Sequence, residues 1–271
     1  MYVDSHCHLN FGELKSQLPS LLSAMQAAEV DRALCICTTL EEFDEVHAIA
    51  QSHAHIWCSA GVHPDNEGVA EPTVDELVRL ARKPRVVAIG ETGLDYFRLG
   101  DRSVADMQWQ RNRFSVHIEA SRLMNLPLVI HTRSASDDTL SILREHQAHS
   151  GVFHCFTETL DVARAALDMG FYISFSGILT FKNAVDLQEV ARFVPLDRCL
   201  IETDSPYLAP VPFRGKVNTP ALVPWVAKQL AALKGLTAED VAKATSSNFE
   251  TLFWATRSAA PVDLMPADSL T

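Results

Sequence analysis

No apolar run in this chain of 271 residues approaches the roughly 18 to 20 residues that a membrane helix needs; the longest, Val86–Ile89 and Leu126–Ile130, stop far short. A membrane-spanning class is not expected. The opening residues, Met1-Tyr2-Val3-Asp4-Ser5-His6, contain neither a basic nor an apolar leader, so the cytoplasm is the expected compartment. Six cysteines (Cys7, Cys35, Cys37, Cys58, Cys155, Cys199) include no Cys-x-x-Cys pair and no small-domain disulfide spacing, so no redox role is expected of them; several lie in apolar runs and read as buried, reduced thiols. Gly-x-Gly-x-x-Gly is absent, and with it the usual mark of a dinucleotide fold. Basic residues are scarce, 23 against 34 acidic ones, for a net charge of −11. That sign opposes nonspecific coating of duplex DNA, and a polyanionic substrate would need bound cations to receive it.

What the chain does have is alternation. Eight short apolar runs are separated by amphipathic segments: Tyr2–Val3, Arg32–Cys37, Ile56–Ala60, Val86–Ile89, Pro127–Ile130, Val152–Phe153, Phe171–Phe175 and Cys199–Ile201. Helical patterning occupies 14–28, 40–52, 73–82, 104–124, 135–146, 160–169, 185–193 and 221–233, with an additional segment over 241–253. Ser103 with Asp106, and Thr237 with Asp240, are capping signals. Eight strand–helix units at about 34 residues each predict a parallel (β/α)8 barrel, a TIM barrel, with an extra C-terminal helix. The expected domain is 1–257, with a flexible tail over 258–271.

The residues just past each run carry the chemistry. They are Asp4, His6 and His8 after the first, Gly61-Val62-His63-Pro64 after the third, Gly90-Glu91 after the fourth, His131 after the fifth, His154 after the sixth, and Glu202 with Asp204 after the eighth. A barrel gathers its strand C-termini at one rim, so these side chains are expected to converge in one pocket. Four imidazoles (His6, His8, His131, His154) and two carboxylates (Glu91, Asp204) exceed the needs of one catalytic zinc and suit two imidazole-binding divalent cations such as Zn or Mn, rather than an all-oxygen Ca or Mg cage, about 3.5 to 4 Å apart. For His63, a structural hydrogen-bonding role is as good a reading as a functional one. His47, His53, His55, His117, His146 and His149 fall in helical or connecting stretches and read as solvated surface.

In combination, Asp4-Ser-His-Cys-His-Leu9, Gly61-Val-His-Pro64, Gly90-Glu-Thr-Gly-Leu-Asp-Tyr96, His131-Thr-Arg133, His154-Cys-Phe156 and Glu202-Thr-Asp-Ser-Pro-Tyr-Leu-Ala-Pro210 resemble the TatD family of metal-dependent deoxyribonucleases, and its YcfH-like branch in particular. The resemblance runs from Tyr2 to about Phe253. It implies a TIM-barrel hydrolase that cleaves DNA phosphodiesters as a 3′-to-5′ exonuclease. It also implies one cation on His6, His8, Glu91 and Asp204 and a second on Glu91, His131 and His154, with Glu91 bridging. The sequence departs from the family's usual pattern at Asn10 (Asp is common), Ser134 (Asp), Thr157-Glu158 (Ser-Gly) and Phe97 (Tyr); all six ligand positions are intact.

On this reading Asp204 orients or deprotonates the attacking water, or serves only as a ligand, and Glu91 shares the catalytic role. Glu202, two residues before Asp204, is expected either to orient a ligand histidine or to form a barrel salt bridge. Arg133, Arg214 and Lys216 are candidate phosphate contacts, and Tyr207 and Phe97 candidate stacking faces. The acidic total favours a single-stranded or frayed DNA end as partner. A small-molecule amidohydrolase on the same binuclear barrel is the alternative, weakened because Glu91 stands where many such enzymes carry a carboxylated lysine.

Overall fold

The computed structural model describes residues 1–254. The expected tail over 258–271 lies outside the described residues. Eight strands pair in sequence order, every neighbouring pair parallel: β1 (Tyr2–Cys7), β2 (Val30–Cys35), β3 (Ile56–Ala60), β4 (Val86–Asp95), β5 (Leu128–Arg133), β6 (Gly151–Phe153), β7 (Tyr172–Phe175) and β8 (Cys199–Ile201). A parallel bridge between Cys7 and Ser205 brings the two ends of this sheet together, giving the predicted TIM barrel.

Helices α1 (Gly12–Ser16), α2 (Leu18–Ala27), α3 (Phe43–Ser52), α4 (Val74–Ala81), α5 (Gln108–Met124), α6 (Ser136–Glu145), α7 (Leu160–Asp168) and α8 (Val185–Phe193) connect the strands, and α9 (Val223–Lys234) and α10 (Ala238–Trp254) follow β8. The single segment expected over 14–28 is two helices broken at Gln17, where Pro19 starts α2 in the first turn, a place proline tolerates because the N–H it lacks is unpaired there anyway. Both capping signals hold: Asp106 accepts from the Ser103 N–H and hydroxyl, and Asp240 from those of Thr237.

α10 closes the end of the barrel where the strands begin. Asn248 donates to the Leu196 and Cys199 carbonyls, Ser246 to that of Met1, and Phe249, Leu252 and Phe253 pack with Val3, Leu34, Val87, Val129, Val152 and Leu200. Burying those rings stabilises by about 2 kcal/mol each. The opposite end, where the strands finish, remains open for loops.

β4 runs six residues further than its apolar run suggested. Ile89 pairs with Leu128 but Thr92 with Ile130, so the Gly90-Glu91 step holds one more residue than its partner strand. This is a bulge, and Gly90, at φ +148, supplies a backbone conformation that side-chain-bearing residues rarely adopt. β1 repeats the device: Asp4 pairs with Ala33 and Cys7 with Cys35, leaving Ser5-His6 in the extra step. Bulges re-aim side chains, and here they fall at His6 and Glu91.

Candidate metal centre

The open end of the barrel holds a cleft of about 610 Å³ lined in part by His8, His63, Glu91, His131, His154 and Asp204. His6 is fully buried beneath it. Glu91 is the hub. Its Oε1 lies 2.8 Å from His154 Nε2, 3.3 Å from His63 Nε2 and 3.4 Å from His131 Nδ1, and its Oε2 lies 3.4 Å from His6 Nε2. Asp204 Oδ1 in turn lies 3.4 Å from His8 Nε2 and 3.6 Å from His6 Nε2. The six residues read from strand ends therefore converge, and His63 joins them.

The electrostatics follow from burying carboxylates among imidazoles. Burial alone would raise Glu91, yet the histidines 154, 63 and 6 facing it prevail and hold it well below the ordinary range. Asp204 is lowered in the same way, burial being overcome by His8, His6 and His154. Burial pushes His154 down, but Glu91 and Glu202 override it and raise the ring well above its usual value. The protein alone thus keeps both carboxylates ionised and recruits positive charge to face them.

Further contacts fix the rings. Glu202 Oε1 lies 3.3 Å from His154 Nδ1 and accepts from the Cys155 N–H at 2.7 Å, which puts it against a candidate ligand histidine. Asp95 does the same for His131, Oδ2 to Nε2 at 3.0 Å, and had not been singled out from sequence. Asp4, fully buried, accepts from the Thr203 N–H at 2.9 Å and from the His6 N–H at 3.2 Å, tying the backbones beside two candidate ligands together. His63 Nδ1 accepts from the Asp65 N–H at 3.0 Å, which leaves Nε2 to carry the proton of the neutral ring.

This donor set fits divalent cations. Buried imidazole nitrogens face buried carboxylates, His6 with His8 and Asp204 on one side and His63 with His131 and Glu91 on the other, and the two oxygens of Glu91 face histidines of both sides. The sequence profile of TatD-related DNases matches residues 3–254. The chain belongs to the TatD family. It is 46% identical over 257 residues to the metal-dependent hydrolase YcfH of Escherichia coli K12, covering 93% of this chain and 95% of that protein. It is 30% identical over 258 residues to the 3′-5′ ssDNA/RNA exonuclease TatD of Escherichia fergusonii, covering 92% and 98%. The crystal structure of YjjV, a TatD homologue from E. coli K12, superposes with a TM-score of 0.87 at 28% identity, covering 93% of this chain and 97% of that one. The protein is thus a TatD-related metal-dependent hydrolase.

Among the expected substrate contacts of this TatD protein, Arg133 and Tyr207 line the cleft. Arg214 does not: its guanidinium lies 3.7 Å over the Phe181 ring, outside the lining. Lys216 is also exposed away from the lining, and Phe97 is covered on one face by Arg133 at 3.6 Å. Phe11, Asn66 and Arg98 line the cleft instead; loop residues such as these carry no periodic signal that would announce their direction. At Asn10 the departure from the TatD pattern has a local reason, because Nδ2 donates to Glu42 Oε2 at 3.0 Å, where an Asp would oppose a second carboxylate.

Two histidines read as solvated surface are buried. His47 bonds the Pro84 carbonyl at 3.0 Å. His117, fully buried, donates from Nδ1 to the Arg113 carbonyl at 2.7 Å and accepts at Nε2 from the Val62 N–H at 2.9 Å. Burial pushes His117 from the usual 6.5 down to about 4. Between those values the folded protein holds fewer protons than the unfolded chain, so the contribution is complete above about pH 6.5 and is lost as pH falls toward 4. About 3 kcal/mol of acid sensitivity is expected from this ring. Urea unfolding from pH 7 to 4.5 should show a clearly shallower slope in His117→Phe; an unchanged slope refutes the assignment.

Proposed function

We propose that this protein is a 3′-to-5′ exonuclease acting on single-stranded or frayed DNA ends, with two divalent cations held one on each side of Glu91. The observation that carries the reading is the cleft itself. A buried floor of carboxylates and imidazoles lies beneath walls that present the cations of Arg98 and Arg133 and the rings of Phe11 and Tyr207. Phosphate and base are the two parts of a nucleotide those walls suit. The 30% identity to a 3′-5′ ssDNA/RNA exonuclease supports it further.

His6, His8 and Asp204 with Glu91 Oε2 would hold one cation, and His131 and His154 with Glu91 Oε1 the other. When bound, such cations lower the pKa of water and neutralise phosphate charge. The chain's own groups do the rest. Asp204, kept ionised and facing the cleft, takes the proton of the attacking water as its oxygen bonds to phosphorus, and the proton is passed on to the DNA-strand oxygen released when the old phosphorus–oxygen bond breaks. Arg98 and Arg133 hold the phosphate flanking the scissile bond. Phe11 and Tyr207, ring centroids 6.4 Å apart and edge-on, take the terminal base against one face.

The test is nucleotide release from end-labelled single-stranded and duplex DNA by metal-stripped protein resupplied with Mg, Mn or Zn. Release from the 3′ end that needs metal, and that falls by on the order of a thousandfold in Asp204→Asn, is the expected result. Intact DNA with the cation sites filled would move the assignment to a small-molecule amidohydrolase.

A further inference from the structure

The inner face of α5 carries three polar residues that a packed helix would ordinarily avoid. Gln110, Arg113 and His117 are spaced by three and four residues, share one side of the helix, and are all nearly or fully buried. Each makes at least one hydrogen bond to the backbone of β4 or of the loop after β3, the two segments that carry Asp95 and His63 to the metal centre.

Gln110 grips the end of β4 with both ends of its amide. Oε1 accepts from the Asp95 N–H at 2.9 Å, and Nε2 donates to the Asp95 carbonyl at 3.1 Å. Asp95 then holds His131, whose other nitrogen faces Glu91 Oε1. Arg113 donates from Nη1 to the His63 carbonyl at 2.8 Å and to that of Asn66 at 2.9 Å, while its remaining guanidinium nitrogens pair with Glu71. His117 accepts from the Val62 N–H and donates back to the Arg113 carbonyl, so it locks the residue preceding His63. His63 Nε2 faces the same Oε1.

We propose that this stripe, Gln110–Arg113–His117, is a positioning element that sets cation affinity on the Oε1 side of Glu91. His6, His8 and Asp204 arrive from β1 and the loop after β8, which the stripe does not hydrogen-bond, so the Oε2 side is independent of it. Contacts that orient metal ligands typically change metal affinity ten- to a hundredfold when removed. The inference rests on the two-cation reading of the site and not on the identity of the substrate.

The test is Mn²⁺ titration of metal-stripped protein, followed by the electron paramagnetic resonance signal of the free ion. Gln110→Leu and His117→Phe keep volume and remove the hydrogen bonds; Ile118→Val, a core position of the same helix, reports general loosening. Two equivalents are expected in the wild type. In each polar variant one equivalent should weaken about ten- to a hundredfold, while the other, and both in Ile118→Val, stay within about twofold. Wild-type affinity for both equivalents in Gln110→Leu and His117→Phe overturns the proposal, as does equal weakening of both equivalents in all three variants. A single equivalent in the wild type overturns the two-cation reading, and the proposal with it.

Discussion

Glu91→Gln should abolish metal-supported hydrolysis, with turnover down by on the order of a thousandfold or more, while the barrel still folds. One buried side chain addresses both halves of the site: Oε1 faces His154, His63 and His131, and Oε2 faces His6. A neutral amide of the same shape fills the volume but offers one acceptor oxygen, and its NH2 group presents donors toward His6 or toward His131 and His154, whose ring lone pairs a cation would need. Glu91→Asp should fail almost as badly, since the shorter side chain cannot keep both oxygens in reach of histidines on opposite sides. His154 gives an independent readout. Its raised proton affinity owes most to Glu91, so in the amide variant the ring should titrate nearer its ordinary range by NMR, with Glu202 remaining as its partner. Thermal unfolding gives another: the wild type should gain stability with added Mn²⁺ according to the ligand linkage, and Glu91→Gln should gain far less. Retention of metal-dependent turnover in Glu91→Gln would remove Glu91 from the centre of the site.

Most of this centre was legible because barrel geometry converts a scattered sequence pattern into a place. Eight apolar runs coincide with eight strands, and what stands just past a run must stand at the rim, which is why His6, His8, Glu91, His131, His154 and Asp204 could be grouped without any contact between them being visible. Asp95 was harder to read because the glycines at 90 and 93 look like the end of a strand. The structure shows instead a bulge that carries β4 on to Asp95 opposite Arg133, within reach of His131. Gln110, Arg113 and His117 were illegible for another reason. Helical periodicity tells which residues share a face, but polar residues on an inner face look like solvent-facing ones until their backbone partners in other loops are known. The cleft walls were half legible: Arg133 and Tyr207 line it, whereas Arg214 stacks on Phe181, a choice made by loop packing that neither residue's local sequence encodes.

The same bulged strand carries a position with no room for a side chain. Gly93 has φ +124, pairs with His131 in the β4–β5 register, and has so little space that an added Cβ would lie 1.9 Å from the His131 carbonyl oxygen. Gly93→Ala therefore meets two penalties together. The backbone must leave a region that L-residues rarely adopt, and the paired strand must move by roughly an ångström against a core packed at crystal density. A loss of more than about 4 kcal/mol is expected, enough to leave little folded protein in a chain of ordinary stability. Gly215→Ala is the matched control. Its φ is +80 with nothing within 4 Å of the added carbon, so it bears the backbone cost alone, about 1 kcal/mol. Urea or thermal unfolding of the two variants side by side separates steric collision from backbone strain; a difference under about 1 kcal/mol would refute the collision. Whatever folded Gly93→Ala is recovered should also bind Mn²⁺ poorly, because Glu91 lies two residues before the displaced peptide, Asp95 two residues after it, and His131 directly across.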